Sequence, residues 1–313
     1  MNARRTRPPH WSGAIGKLFI LAAALAAGLM CRPVPAADAL GTLGKIRQSG
    51  EITLGYRETS MPFSYVDSKG EVVGYSHDIM LKVVDAIKRE LRMPGLKVNL
   101  VAITSQNRIP LVQKGAIDLE CGSTTNNTER QKLVAFSNSL FVIGTRLMTH
   151  RESAIRDFKD LAGKVVVTNA SSTSEQLLHK LNEEHKLGMK IVTVVDHGVD
   201  PLAVLQSGQA HAYMMDDAIL YAVISEAWRP HEWLVTGTPQ SYEAYGCMMR
   251  KGDTAFKKLV DDTIAKIMTS GQIEAIYRKW FLSPIPPKGI SLNFPMSEAV
   301  DRLYKNPNDK AFD

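Results

Sequence analysis

The strongest constraint on this chain is an alternation of two periods. Short β-branched or apolar runs, Ile52 to Gly55, LKVNLVAI from Leu96 to Ile103 and IDLECGS from Ile117 to Ser123, are separated by stretches in which apolar residues recur every three or four positions. Between the first two runs, Ile79, Val83, Ile87 and Leu91 fall on one helical face, with Ser76 as the expected N-cap. SQNRIPLVQKG reads as a short helix, and Thr128 with Gln131 has capping-box spacing ahead of another. A strand–helix–strand order of this kind builds a mainly parallel sheet with helical crossovers.

The pattern then restarts. Strands are expected at KVVVTN (Lys164 to Asn169), KIVTVVD and HAYMMDD (His211 to Asp217), with helices at SSTSEQLLHKL, where Ser172 and Glu175 have capping-box spacing, and at VDPLAVLQSGQ. A returning strand, SYEAYGCMMRK, is followed by two helices separated at Ser270-Gly271, and the IPPKGISLNFP segment and the polar tail from Ser297 read as wrapping or peripheral structure. Two α/β units joined by extended stretches, roughly 140–148 and 243–249, imply two lobes, a cleft and a two-stranded hinge. The expected division is 37–141 with 248–313 for lobe 1 and 142–247, hinge strands included, for lobe 2.

Residues 1–36 read as a secretory signal peptide: three arginines in the first seven residues, Lys17, a thirteen-residue apolar run too short to span a bilayer, and small residues near Ala36 for cleavage. Its removal takes away five basic residues and no acidic one, so the formal charge of +6 falls to about +1. That balance speaks against nucleic acid or anionic lipid as a partner. Of three cysteines, Cys121 and Cys247 remain in the mature chain, and in an exported protein they are expected to pair.

Ligands of open α/β sheets sit beyond the carboxyl ends of the strands, where loops meet helix N-termini. At such places lie Arg57; Ser105 with Arg108; Ser123 and Thr125 with Arg130; the hydroxyls of 171–174, Thr173 among them; His197; and Asp216. Repeated pairing of hydroxyls with guanidinium forks suits carboxylate recognition, because two parallel N–H donors match two oxygens. Asp217 is placed to cap the helix that follows. There is no GxGxxG, P-loop, HExxH or GxSxG, and the histidines are scattered, so neither cofactor nor metal is expected.

GYRETSMPFSYVD, ITSQNRIPLVQKGAIDLECGSTTNNTERQK, MMDDA, EAYGCMMRK and WFLSPIPPK closely resemble the glutamate/aspartate-binding branch of the family 3 solute-binding proteins of bacterial ABC uptake systems. The resemblance runs from about Leu43 to Asp313 and departs from the pattern around Val199-Asp200-Pro201, where one extra residue is expected. It implies a periplasmic two-lobed protein (type II), not an enzyme, that closes over one acidic amino acid and presents it to a membrane permease; a monomer is the simplest expectation. It implies that Arg130, Ser123, Thr125 and Thr173 hold the α-carboxylate, that Asp216 pairs with the α-ammonium, and that Arg57, Ser105, Arg108 and His197 surround the side-chain carboxylate. Three arginines against one aspartate would leave a positive surplus for a ligand with two carboxylates. The alternatives are a dehydratase-like enzyme on the same scaffold and a module that delivers the ligand to a receptor.

Overall fold

The computed structural model describes residues 41–196 and 198–312. The predicted signal peptide and His197 therefore lie outside the described residues.

The chain enters with α1 (Gly41–Ser49) and β1 (Glu51–Tyr56), then a small meander of β2 (Thr59–Ser60), β3 (Ser64–Val66) and β4 (Val72–Val73). Next come α2 (Tyr75–Leu91), β5 (Lys97–Ala102), α3 (Arg108–Gln113), β6 (Leu119–Glu120), α4 (Thr128–Gln131) and the sixteen-residue β7 (Ala135–His150). The second unit comprises β8 (Val165–Asn169), α5 (Thr173–Glu184), β9 (Lys190–Val194), α6 (Pro201–Gln206), β10 (Ala212–Asp216), α7 (Asp217–Glu226) and β11 (Trp233–Thr236). β12 (Tyr242–Met249) leads back, followed by α8 (Thr254–Thr269), α9 (Gln272–Phe281) and α10 (Glu298–Lys305).

β1 pairs in parallel with β5 and β6, and β8 pairs in parallel with β9 and β10. The long β7 serves both sheets: residues 135–144 run antiparallel to β12, and residues 145–150 run antiparallel to β10 and β11. The two expected connecting stretches are thus one paired ribbon that closes each sheet on its shared side, which makes the architecture two-lobed.

Each sheet is covered on both faces. In the first, α2 buries its expected row Ile79, Val83, Ile87 and Leu91 together with Val260 and Ile264 of α8 and Trp280 and Phe281 of α9, while Val112 of α3 packs with Phe136 and Met248 on the other side. In the second, alternation along the strands sorts neighbours: Val166, Ala212 and Met214 join Leu178 and Leu181 of α5, whereas Val167 and Tyr213 join Leu202 and Leu205 of α6 and Leu220 of α7.

Three local expectations are corrected. α2 is capped by Gly74, not Ser76, because the entry loop takes φ 138° and a Cβ there would lie 2.3 Å from the Phe63 carbonyl oxygen. Ser76 instead donates to the Gly122 carbonyl at 2.9 Å. The cap of α4 is Asn127, whose side chain accepts from the Arg130 amide, not Thr128. The tail is no loose appendage: Ser297 caps α10, Val300, Leu303 and Tyr304 are buried, and the Tyr304 and Tyr75 hydroxyls meet at 2.6 Å.

Candidate functional site

Six parallel strands end at one place. Arg57 follows β1, Ser105 follows β5 and Ser123 follows β6; Ser172 follows β8, Asp196 follows β9, and Asp216 is the last residue of β10. Between these strand ends lies a cavity of about 210 Å³. Seven of the predicted ligand residues line it: Arg57, Ser105, Arg108, Ser123, Thr125, Thr173 and Asp216. Arg130 is buried but does not line it; its Nη1 donates to the Thr125 carbonyl at 3.0 Å, one layer behind.

The wall from the first sheet is cationic and held from behind. Arg108, 3 % exposed, donates through Nη1 to Thr124 Oγ1 at 2.6 Å and to the Ser123 carbonyl at 3.3 Å. The Thr124 hydroxyl in turn donates to the carboxylate of Glu120, which is fully buried. Burial and then the neighbouring Arg130 and Arg57 push the Arg108 guanidinium down to about 9, still charged at neutral pH, and burial raises the Glu120 carboxyl against the pull of Arg108. The approach is close: a Cβ on Gly122 would lie 2.7 Å from Glu120 Oε1 and 3.2 Å from Arg57 Cγ, so a side chain there would have to push the Glu120 carboxylate aside.

The opposite wall carries acids. The Asp216 side chain makes no capping bond to α7 and accepts a hydrogen bond from the Tyr245 hydroxyl, while Asp217 Oδ1 accepts from the Ala218 amide at 2.7 Å. Burial, reinforced by Glu243, holds the Asp216 carboxyl well above its ordinary range. Asp196 bonds Arg57 Nη2 at 2.7 Å and the Ser105 amide at 2.6 Å. At the ribbon, Glu243 of β12 accepts from the Thr125 hydroxyl and from Thr173 Oγ1, the latter at 2.8 Å. Ser172 caps α5 by accepting from the Glu175 amide at 3.0 Å. Apart from that capped Glu175 amide, the first-turn amides have no carbonyl partner within the helix, and a helix N-terminus of this kind can receive an anion.

Sequence reasoning missed Glu120, Asp196 and Glu243, so its balance of three arginines against one aspartate does not stand. Glu120 did carry a signal, a carboxylate between apolar Leu119 and Cys121 in a strand with no solvent face. What the site offers a ligand is read instead from unpartnered atoms. Among the described residues, Arg57 Nε, Arg108 Nε and Asp216 Oδ1 are buried without a hydrogen-bond partner. Arg57, Arg108 and Asp216 all line the cavity, and two guanidiniums with one carboxylate, each keeping a polar atom that no protein group satisfies, suit a zwitterion that brings more anionic than cationic charge. Among the described residues no group of three or more His, Cys, Asp or Glu is placed to hold a metal ion. Cys121 and Cys247 are disulfide-bonded, as expected, and join β12 to the segment that leads from β6 to Ser123.

Comparison with known proteins gives a consistent result. The chain is 54% identical to the L-glutamate/L-aspartate-binding protein of Pseudomonas aeruginosa over 93% of its own length and 97% of that protein. It is 53% identical to the glutamate/aspartate import solute-binding protein of Escherichia coli over 93% and 96% respectively. Both are binding proteins rather than enzymes, the second of them for import. Among solved structures, an ancestral arginine-binding protein bound to arginine superposes with a TM-score of 0.66 at 27% identity, covering 74% of this chain and 98% of that one. An ancestral amino acid-binding protein, a precursor of cyclohexadienyl dehydratase, superposes with a TM-score of 0.65 at 26% identity, covering 77% and 99%. The profile of the bacterial extracellular solute-binding proteins, family 3, matches residues 52–283, and this chain belongs to that family.

Proposed function

We propose that the protein captures L-glutamate or L-aspartate in the cleft between its two lobes and delivers it to the permease of an ABC uptake system. The observation that carries this reading is that Arg57, Arg108 and Asp216 line one cavity and that each keeps a buried polar atom without a protein partner. The names of the 53–54% identical relatives support the same ligand class.

In this assignment Asp216 takes the α-ammonium. The α-carboxylate meets the N-terminal amides of α5 at Thr173 together with Ser123 and Thr125, and Arg130 behind them supplies charge. Arg57, Ser105 and Arg108, with His197 from outside the described residues, receive the side-chain carboxylate. The lobes are assigned as 37–141 with 248–313, and 142–247. A ligand that touches both lobes favours the closed form by its differential affinity, and closure is what a permease can recognise. We assign the mature protein to the periplasm, after removal of residues 1–36, as a monomer. Among the described residues no helix is long and apolar enough to cross a membrane.

Isothermal titration calorimetry of ligand-stripped mature protein with L-glutamate, L-aspartate and L-glutamine tests the reading. One-to-one binding of the two acids and little of the amide is the expected result. Folded protein that binds neither acid would refute it.

A further inference from the structure

Asp196 is unusual in spending both carboxylate oxygens on the other side of the cleft. It stands in the turn after β9, in the second sheet, yet Oδ1 lies 2.7 Å from Arg57 Nη2 and Oδ2 lies 2.6 Å from the Ser105 amide, both in the first sheet. The side chains of Asp196 and Arg57 are 2 % and 5 % exposed. Burial would raise the Asp196 carboxyl, but Arg57 and the Ser105 amide outweigh it and hold the group below its ordinary range. A cavity of about 210 Å³ remains beside the ion pair, lined by all three residues, and Arg57 keeps Nε unpartnered among the described residues. The carboxylate of Asp196 therefore does not fill the place of a ligand; it borders it.

We infer that Asp196 is a lobe-to-lobe clasp. It closes the cleft by taking one N–H of Arg57 and the Ser105 amide, and it leaves the remaining donors of Arg57 and Arg108 for the ligand. Arg57 then has two employments, one edge of its guanidinium for the opposite lobe and one for the side-chain carboxylate. The clasp also fixes the end of the pocket, since a longer side chain would have to displace a buried, charge-assisted pair. Because a clasp made only on closure acts on the closed complex, its loss speeds ligand escape and leaves capture by the open form unchanged.

This inference rests on the amino-acid-binding reading, and glutamate binding by the wild type is checked first so that the two can fail separately. Stopped-flow measurement on the mature protein with L-glutamate is expected to show Asp196→Asn raising the dissociation rate by roughly tenfold to a hundredfold, with the association rate held within about threefold. Combined with Arg57→Ala, the loss should fall short of the product of the two single losses, because the two side chains share one interaction. With saturating L-glutamate, which holds the cleft closed, hydrogen exchange at the Ser105 amide should be faster in Asp196→Asn than in the wild type, since its acceptor is weakened. Tighter glutamate binding in Asp196→Asn would overturn the inference and make Asp196 a competitor of the ligand. Unchanged Ser105 exchange in the glutamate-loaded protein would overturn it as well, whereas a wild type that binds no glutamate would overturn the amino-acid-binding reading and the kinetic role of the clasp with it.

Discussion

The two walls of the cleft are built on the same plan and charged oppositely. Each presents residues at the carboxyl ends of three parallel strands, but the first sheet supplies Arg57 and Arg108 with Arg130 behind, while the second supplies Asp196 and Asp216. The first wall is stiffened from within, by the Arg108–Thr124–Glu120 chain and by a disulfide. The second relies on a helix N-terminus and on contacts it makes only across the gap. A cationic wall that holds itself and an acidic wall that reaches over is an arrangement in which one lobe can bind first and the other can respond.

The largest test of that asymmetry is to remove the covalent support of the cationic wall. Joining residues 126 apart, the disulfide is expected to stabilise the fold by about 4–5 kcal/mol, so a Cys121→Ser/Cys247→Ser variant should unfold at markedly lower denaturant. Hydrogen exchange should show protection lost in β1, β5 and β6 before β8 to β10. Next come the charges themselves. Arg108→Ala and Asp216→Ala are each expected to weaken L-glutamate binding by about 2–5 kcal/mol in calorimetry, tens- to thousands-fold, and near-native affinity in either folded variant would remove that residue from the site.

A smaller effect separates the walls by pH. The carboxyl of ligand-free Asp216 is held high by burial and Glu243, and a bound ammonium would favour its charged form and lower it. Protonated Asp216 must then release its proton on binding, so affinity should rise with pH until the ligand-free group is ionised and level off above that. Calorimetry in buffers of different ionisation enthalpy would detect the released proton, and Asp216→Asn should abolish it. The smallest effect lies away from both walls: Ser297→Ala, which removes the cap of α10, is expected to cost about 1 kcal/mol of stability in denaturant melts and to leave ligand affinity unchanged.

Much of the fold is legible in the sequence because sheet strands and amphipathic helices announce themselves by period. The spacing of Ile79, Val83, Ile87 and Leu91 alone puts them on one face, and they are buried there. Caps are less legible, since adjacent candidates compete and the choice is tertiary: Gly74 wins because the Phe63 carbonyl leaves no room for a side chain. α10 escapes sequence reasoning because Val300, Leu303 and Tyr304 are isolated in an otherwise charged segment behind a proline-rich one, although their spacing and Ser297 are in view. In the site, arginines at strand ends stand out as functional, whereas Asp196 and Glu243 look like ordinary solvent-facing acids and Glu120 shows only as a carboxylate inside an apolar strand. Only the three-dimensional arrangement shows that each is a partner for donors that the sequence pattern reserves for a ligand.

The strand order carries a consequence for how the chain is made. In the first sheet the order is β5-β1-β6-β12-β7, so β12, the last strand synthesised, lies between two made long before it. The second sheet draws on one uninterrupted stretch from β7 to β11 and can assemble as that stretch emerges. The first sheet must wait with β6 and β7 unjoined until Tyr242 to Met249 arrives to fill the gap. The lobe that bears the arginines is therefore begun first and completed last, and its disulfide partner Cys247 travels on the strand that completes it.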